Sequence, residues 1–158
     1  MYSRLYTTIL NRYFWVESAT AFTSMHNNTG LLGIYGAAVP EHTHNLFAVL
    51  CNHFVQMFQH PVHETELQRA KNQLKSSVLM NLESRLVLNE DIGRQLLTYG
   101  KREDPNVICD RIDAITALDL QRVAQKILKT QPSIVSLGEM GQFPSYELIQ
   151  KALKNGLV

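Results

Sequence analysis

Two amphipathic helical patterns, joined by the short segment MNLESR, occupy the middle of this 158-residue sequence. Before that segment, apolar residues recur every three or four positions at Leu67, Ala70, Leu74, Val78 and Leu82. After it, the same spacing continues at Leu88, Ile92, Leu96 and Tyr99. Gly100 then stands where a helix would end. Because this period places apolar side chains along one face of a helix, the segment predicts two long helices in succession.

The first forty residues predict a helix followed by a β-hairpin. The amino terminus MYSRLYTTILNRY is basic and amphipathic, and the spacing of Leu5 and Ile9 favours a packed helix ending near Asn11 over a transit peptide. Threonine, valine and phenylalanine then recur over Trp15 to Met25, and an apolar run follows over Leu31 to Val39, which predicts two strands. The turn-forming residues between these stretches predict that the two strands pair in an antiparallel hairpin.

Further helices are predicted downstream of the hairpin. Pro40 opens one helix and Pro61 ends it, since proline is tolerated in the first turn of a helix but not in its interior. Thr65 and Gln68 have the spacing of a capping box at the start of the next helix. A later helix is predicted over Asp119 to Lys129.

The fold class follows from the order of these elements. After Pro132, the apolar run Ser133 to Leu137 predicts a strand that returns to the sheet. Strands at both ends with helices between them indicate an α+β fold, in which a mostly antiparallel sheet packs against several α-helices. With 158 residues and 45% hydrophobic content, the chain is long enough to bury a core, and we expect residues 1–158 to form a single domain.

Composition excludes several classes of partner. The formal net charge is +1 and like charges form no block, so no nucleic-acid partner is expected. The most apolar run, Leu31 to Val39, is about half the length that a bilayer-spanning helix requires. Cys51 and Cys109 are widely spaced and outside any CxxC pair, which favours free thiols in a reducing compartment over a disulfide.

The histidines do not have the spacing of a zinc peptidase. In the run from His60 to His63, Pro61 prevents a regular helix beneath the two imidazoles, and the following carboxylate falls outside the pair. This order is neither HExxH nor HxxEH, and His42 and His44 lack such a partner as well. We therefore expect no metal ligand and no catalytic residue in this chain, and interpret the histidines as surface or loop residues.

Three strand glycines resemble a phosphate loop only superficially. Gly30, Gly33 and Gly36 recur every three residues, which is not the GxGxxG spacing, and they do not lead into a helix. We interpret them as positions where a neighbouring backbone approaches closely.

Carboxylates near the predicted helix starts form the most informative polar group. Glu66 is predicted in the first turn of one helix, and Glu90 and Asp91 follow Asn89, a good cap residue, in the next. One interpretation is structural, because acidic residues in a first turn interact favourably with the helix dipole. Glu90 and Arg94 would then form an ordinary i,i+4 ion pair.

The second interpretation is functional. Carboxylates that face a groove can hold an arginine of a basic peptide by charge-assisted hydrogen bonds. Gly93 favours this interpretation slightly, because a glycine in the middle of a helix costs roughly 1 kcal/mol relative to alanine. We expect something to pack closely there, either a neighbouring helix or a substrate.

The same segments carry a resemblance to a known family. The runs RAKNQLKSS, MNLES and ED-GRQ, together with MYSRLYTTILNRY, resemble the carboxy-terminal domain of the alpha, non-catalytic subunits of the mitochondrial processing peptidase. Those subunits belong to the pitrilysin-like, inverzincin metallopeptidase family. The resemblance extends from Met1 to about Leu153 and implies the family's domain, a sheet with helices packed against it.

The resemblance also implies a function, partners and a location. Such a subunit forms a heterodimer with a beta-type catalytic subunit and helps it remove amino-terminal presequences from imported precursor proteins. The zinc belongs to that partner, so no cofactor is expected in this chain. Basic presequence peptides are the implied ligands, with Glu66, Glu90 and Asp91 as the substrate-binding residues. The implied location is the mitochondrial matrix or the matrix face of the inner membrane.

Two alternatives stay open. Structural core subunits of the respiratory ubiquinol–cytochrome c reductase complex are built on the same fold, and the chain could also be a truncated orphan domain. The family's glycine-rich loop and amino-terminal domain are not in this sequence. Competent relatives carry an LREKRGLAY-like segment that assists the substrate carbonyl, whereas this chain has ILNRYFWVE, with Leu10 and Glu17 at about those positions. A catalytic role for this domain is therefore not expected.

Overall fold

The computed structural model describes residues 3–26, 28–139, 141 and 143–155, apart from the side chains of residues 152, 154 and 155. Its elements are a π-helical segment Tyr6–Leu10, strands β1 (Val16–Met25) and β2 (Gly30–Ala38), a 3-10 turn Pro40–His42, and helices α1 (Thr43–Gln59), α2 (Glu64–Leu82), α3 (Arg85–Tyr99), α4 (Pro105–Ala114), α5 (Ala117–Leu128) and α6 (Tyr146–Asn155). The predicted α+β class, an antiparallel sheet with several helices, is confirmed. No helix in these described ranges is both long and apolar enough to cross a bilayer.

The chain divides into two compact units. The first unit contains Met1–Pro61 and Gln121–Val158, and the second contains Val62–Leu120. The expectation of a single domain over residues 1–158 stays a prediction.

In the first unit, β1 and β2 pair as the antiparallel hairpin that the sequence predicts. Phe22 lies opposite Gly33, and the register shifts between Val16 and Ser18. An irregularity of this kind bends the strand and increases its twist. Val16 and Ala19, on either side of the shift, are both buried.

The core of the first unit forms where the hairpin meets α1 and the amino-terminal helix. Its buried side chains are Leu5, Ile9, Val16, Ala19 and Leu46. Burying an aliphatic side chain of this size stabilises a fold by about 1.5–3 kcal/mol. The predicted amino-terminal helix is confirmed and ends at Leu10, with π-helical hydrogen bonding in its last turns.

Helix α1 ends at Gln59, two residues before Pro61, as predicted. His60 takes an extended conformation, which a residue before proline favours. The side-chain amide of Gln121 donates to the carbonyl oxygens of Phe58, at 3.1 Å, and of Gln59, at 3.2 Å. These bonds satisfy carbonyls that the end of an α-helix leaves without an intrahelical donor.

Two glycines of β2 face side chains instead of backbone, which corrects their interpretation. A Cβ on Gly36 would lie 2.7 Å from Cδ1 of Leu50 in α1. A Cβ on Gly33 would overlap the ring of Phe22, its partner across the hairpin. Only at Gly30 is the nearest atom a backbone oxygen, as expected for all three.

In the second unit, α2 and α3 are joined through Glu83 and Ser84, and α4 packs against α2. Nζ of Lys75 lies 2.8 Å from each carboxylate oxygen of Asp113, and Lys71 donates to the carbonyl of Asp113 at 3.0 Å. Asp113 is in the last turn of α4. Both lysines therefore place positive charge at the end of α4 where the helix dipole is negative.

The predicted capping box at the start of α2 is wrong. His63 caps this helix, because its Nδ1 accepts from the backbone N–H of Thr65 at 3.3 Å and lies 2.8 Å from the Thr65 hydroxyl. Gln68 bonds instead to Asn72, at 3.1 Å. An imidazole nitrogen is an acceptor in the same place as a cap oxygen, so the helix starts two residues earlier than a Thr65 cap implies, at Glu64.

The predicted strand over Ser133 to Leu137 is also wrong. This segment is irregular, and Val135 is 94% and Leu137 100% exposed. Within the described residues the sheet has two strands. Strand backbone groups need a neighbouring strand to bond with, and no described neighbour pairs with this segment.

Helices α4 and α6 were not predicted from the sequence. The Asp104 carboxylate accepts from the N–H of Asn106 at 2.7 Å, and Pro105 occupies the first helical position. At α6, the hydroxyl of Ser145 accepts from the N–H of Leu148 at 3.4 Å. Both caps are residues that favour a helix start, but each helix is only ten residues long and spans fewer than three turns.

We expect Gly36→Ala to lower the free energy of unfolding by about 1–3 kcal/mol, because the added Cβ overpacks against Leu46 and Leu50. Gly93→Ala is the matched control, since a Cβ there meets no described atom within 4 Å. In the middle of α3 this change is expected to raise the stability by up to about 1 kcal/mol. Urea unfolding followed by circular dichroism measures both variants. Equal stabilities would contradict the packing of α1 on β2.

Candidate functional site

Helix α3 begins at Arg85, so Glu90 and Asp91 lie in its second turn. The prediction that Asn89 caps this helix is therefore wrong, and the first turn of α3 contains no acidic residue. Because the interaction with the helix dipole falls off within the first turn, it does not account for these two carboxylates. It does account for Glu66, which lies in the first turn of α2 as predicted.

Glu66 and the Glu90–Asp91 pair are separate anionic points in the second unit. Glu66 precedes Glu83, at the end of α2, by 17 residues, and Glu90 follows it by seven. At about 1.5 Å per helical residue, the Cα of Glu66 lies roughly 25 Å from that of Glu83, and the Cα of Glu90 lies within roughly 14 Å of it. Their Cα atoms are thus at least roughly 11 Å apart at any interhelical angle. The two points would meet different residues of a bound peptide.

Glu90 is paired with a cation on its own helix. Oε1 of Glu90 lies 3.5 Å from Nη2 of Arg94, one turn later, and both side chains are exposed. The predicted i,i+4 pair is thus present, but an exposed pair of this kind contributes only about 0.3–0.5 kcal/mol. Water and salt compete with Arg94 for the Glu90 carboxylate, so an incoming cation could replace it.

Asp91 also has a partner four residues later on α3, but this partner is neutral. The side-chain amide of Gln95 donates to Oδ2 of Asp91 at 2.8 Å, and this group is partly buried. Oε1 of the same Gln95 accepts from the backbone N–H of Glu103 at 2.8 Å. An amide orients a carboxylate without cancelling its charge. Asp91 makes no ion pair among the described residues, so its negative charge is fixed in place and uncompensated.

The neighbouring carboxylate of Glu103 is instead neutralised. Nη1 of Arg111 lies 2.7 Å from Oε2 of Glu103, and Nη2 donates to Oε1 at 2.8 Å. This bidentate arrangement is the strongest geometry for such a pair. Nζ of Lys101 lies 3.6 Å from the same carboxylate. Glu103 is therefore a structural carboxylate, which anchors the segment that follows α3.

One face of α3 carries apolar side chains that nothing in the described chain covers. Leu86, Glu90, Gly93 and Leu97 follow one another at steps of four, three and four, and we call this set the Leu86 face. Leu86 is 78% and Leu97 91% exposed. The expectation that something packs at Gly93 is not met within the described residues, since an added Cβ there meets no atom within 4 Å. The sequence does not mark either leucine as a site residue, because both lie outside the regular apolar stripe.

Histidines take local structural roles where the structure shows their contacts. The His42 ring stacks on Trp15 with centroids 5.0 Å apart, and its Nδ1 lies 3.3 Å from Nδ2 of Asn45. His63 caps α2. Among the described residues, no group of three or more His, Cys, Asp or Glu side chains is arranged to hold a metal ion.

Both cysteines are free thiols, as expected. Cys51 is buried in α1, and this burial raises its pKa to about 11. The thiolate is the reactive form, so Cys51 is a poor nucleophile at neutral pH and serves as a small apolar core residue. Cys109, in α4, is half-buried.

Known proteins match this chain in sequence. A family model described as the Peptidase M16 inactive domain matches residues 1–74. The mitochondrial-processing peptidase subunit alpha of Rattus norvegicus is 40% identical over 155 residues, covering 98% of this chain and 29% of that protein. The subunit alpha of Solanum tuberosum is 39% identical over 156 residues, covering 98% of this chain and 31% of that protein. The chain therefore spans less than a third of the length of these relatives.

A solved structure matches at the level of fold. A chain in the structure of Complex III2 from Candida albicans, Inz-5 bound, has a TM-score of 0.84 and 21% sequence identity. The match covers 97% of this chain and 37% of that chain. At this identity it shows a shared fold and nothing further.

The two carboxylates of α3 should differ in their contribution to stability. Glu90→Gln is expected to lower the free energy of unfolding by less than about 0.5 kcal/mol, because the lost pair is exposed. Asp91→Asn is expected to cost about 1 kcal/mol, because the Gln95 amide loses a charged acceptor. Thermal and urea unfolding of both variants measure this difference. A larger loss in Glu90→Gln would contradict the assignment of Asp91 as the anchored carboxylate.

Proposed function

Because this chain belongs to the family of the mitochondrial-processing peptidase alpha subunits, we propose that it is a non-catalytic, substrate-recognising subunit of such a peptidase. In this role it helps a zinc-bearing, beta-type partner to remove amino-terminal presequences from imported precursor proteins. Identity of 40% over 98% of the chain supports the proposal. The match to a domain described as inactive supports a role in binding rather than in bond cleavage.

The observation that carries this proposal is the Asp91 carboxylate, which is held in place while its charge stays uncompensated. An arginine guanidinium presents N–H donors in a planar fork that matches the two oxygens of a carboxylate. Gln95 occupies one position on Oδ2, so Oδ1 and the second lone pair of Oδ2 remain for such a fork. Asp91 is thus suited to bind an arginine of a presequence.

The Leu86 face extends this site with apolar contacts. Leu86 and Leu97 expose most of their side chains about 16 Å apart along the helix, with Glu90 and Gly93 between them. Since Gly93 has no side chain, a peptide could approach the α3 backbone closely there. A peptide with one basic and one apolar face would meet carboxylates and leucines together. Glu66 would bind a second arginine at a separate point.

Recognition and bond cleavage would be divided between the two subunits. Zinc, bound by the beta-type partner, would supply the activated water that hydrolyses the peptide bond. The residues of this chain bind and orient the basic part of the presequence. Fixing the peptide in this way raises the local concentration of the scissile bond at the partner's site, which is a positioning effect.

The proposed location is the mitochondrion, since the relatives are named as subunits of a mitochondrial peptidase. Within it, we place the chain in the matrix or at the matrix face of the inner membrane. This is where the presequence of an imported precursor would first meet a processing enzyme.

A second candidate function shares this fold. The fold match to a chain of Complex III2 is compatible with a structural core subunit of the ubiquinol–cytochrome c reductase complex. In that role the chain would bind neighbouring subunits and no presequence. The two candidates differ in what the protein binds, so affinity measurements and partner identification separate them.

We expect Glu90→Gln combined with Asp91→Asn to weaken binding of an arginine-containing presequence peptide about tenfold at low salt. The loss should shrink at high salt, where the attraction in the unsubstituted protein is already screened. Fluorescence anisotropy with a labelled peptide, at two ionic strengths, measures both affinities. The same peptide with citrulline in place of arginine should bind both proteins equally weakly.

The Asp91→Asn single variant is measured in the same way, and its matched control is Asp110→Asn, which removes an exposed carboxylate from α4 in the same unit. It changes the net charge by one and leaves the carboxylates of α3 intact. Equal losses from Asp110→Asn and Asp91→Asn would indicate a general charge effect and overturn the site assignment. Unchanged affinity in the double variant at low salt would overturn it as well.

Recovery of the endogenous protein through a carboxy-terminal tag tests the function as a whole. We expect a subunit carrying an HxxEH sequence to co-purify in equal amount, identified by mass spectrometry. The recovered complex should cleave a presequence and lose this activity on treatment with a zinc chelator. Recovery with membrane-bound cytochromes and without an HxxEH subunit would favour the respiratory core instead.

A further inference from the structure

We propose that Gln95 is a positioning residue that orients the Asp91 carboxylate for a guanidinium ligand. This inference rests on the proposed function, because it concerns how the same site binds its peptide. It assigns a role to a side chain that the resemblance does not mark as substrate-binding.

The chemistry of its two partners fixes the orientation of the Gln95 amide. The backbone N–H of Glu103 is only a donor, so the Gln95 atom that it meets at 2.8 Å must be the oxygen. The amide nitrogen then faces Asp91, whose ionised carboxylate is only an acceptor, also at 2.8 Å. A rotated amide would place donor against donor and acceptor against acceptor. Gln95 therefore has one favourable orientation, and Asp91 Oδ2 has one defined donor.

Further contacts hold the backbone N–H of Glu103, to which the Gln95 side chain is bonded. The Glu103 carboxylate is bound by Arg111 in α4 through two contacts of 2.7 and 2.8 Å, so the peptide N–H of Glu103 is anchored next to α3. The sequence of contacts runs from Arg111 through Glu103 and Gln95 to Asp91. Each link is a geometrically normal hydrogen bond or ion pair.

A neutral orienting residue has a functional consequence that a charged one lacks. At the same i,i+4 spacing, Arg94 compensates Glu90, and a ligand would have to displace it. Gln95 instead restricts the rotation of Asp91 and leaves its charge available. A carboxylate that is already ordered loses less conformational entropy when an arginine binds. The geometry thus predicts that most of the arginine-dependent affinity at α3 depends on Asp91 together with Gln95.

The test is a double-mutant cycle between Gln95→Met and Asp91→Asn in the full chain, with arginine and citrulline versions of one presequence peptide as probes. Methionine has a similar length and helix propensity but neither hydrogen bond. Gln68→Met is the matched control, because Gln68 also makes an i,i+4 amide hydrogen bond, to Asn72 in α2. Circular dichroism and urea unfolding verify that each variant is folded.

We expect Gln95→Met to weaken the arginine peptide about three- to tenfold and to leave the citrulline peptide unchanged. In the Asp91→Asn background it should cause no further loss. Gln68→Met should change neither affinity. An equal loss for both peptides, or a persistent loss in the Asp91→Asn background, would assign Gln95 a purely structural role and overturn the inference.

A second substitution keeps the test decisive if Gln95→Met does not fold. Gln95→Lys places a cation one turn after Asp91, where an i,i+4 ion pair supports the helix. The ammonium of this lysine would pair with the Asp91 carboxylate and compete with the peptide for it. We therefore expect a loss of arginine-peptide affinity at least as large as that of Asp91→Asn. Unchanged affinity would overturn the proposed contact.

The outcomes also separate this inference from the proposed function. If Asp91→Asn weakens the arginine peptide and neither substitution at Gln95 does, only the positioning role is overturned. If Asp91→Asn itself has no effect on that peptide, the site assignment and the positioning role both fall.

Discussion

Close packing of α1 against the bare backbone of Gly36 is the constraint on which the first unit depends. A two-stranded hairpin is marginally stable by itself in water, so its persistence requires a cover on at least one face. Leu46 and Leu50 provide that cover so closely that a Cβ on Gly36 would force their side chains to shift. Ile9 and Val16 complete the apolar core around this contact. The hairpin therefore exists because a helix is packed on it.

Charge compensation, rather than the presence of acidic residues, distinguishes structural from functional carboxylates in the second unit. Asp113 binds Lys75, and Glu103 binds Arg111, at distances that leave neither charge free for a ligand. Glu90 has a weakly held, exposed cation. Asp91 differs from all of these, because a neutral amide holds it. Since recognition of a cation needs a carboxylate that is both ordered and negative, Asp91 is the one of these four residues that combines the two properties.

The sequence predicted the elements better than their ends and their partners. The hairpin, α1, α2, α3 and the termination of α3 at Gly100 are confirmed, because each follows from apolar residues at regular spacing or from a well-defined turn residue. Predictions of helix starts were less accurate, since His63 and Ser84 compete with Thr65 and Asn89 as caps within a few residues. The strand predicted over Ser133 to Leu137 is absent because an apolar run does not specify a pairing partner.

The sequence by itself determined the helical and strand periods, the three candidate carboxylates and the family resemblance. These properties depend on residue type and local spacing, which a sequence states directly. Only the tertiary structure decided which carboxylates are compensated and which leucines of α3 are exposed. The bond from Glu103 to Gln95 joins residues eight positions apart, and Arg111 lies a further eight beyond. Partners of this kind are brought together by the turn between α3 and α4, so no local spacing specifies them.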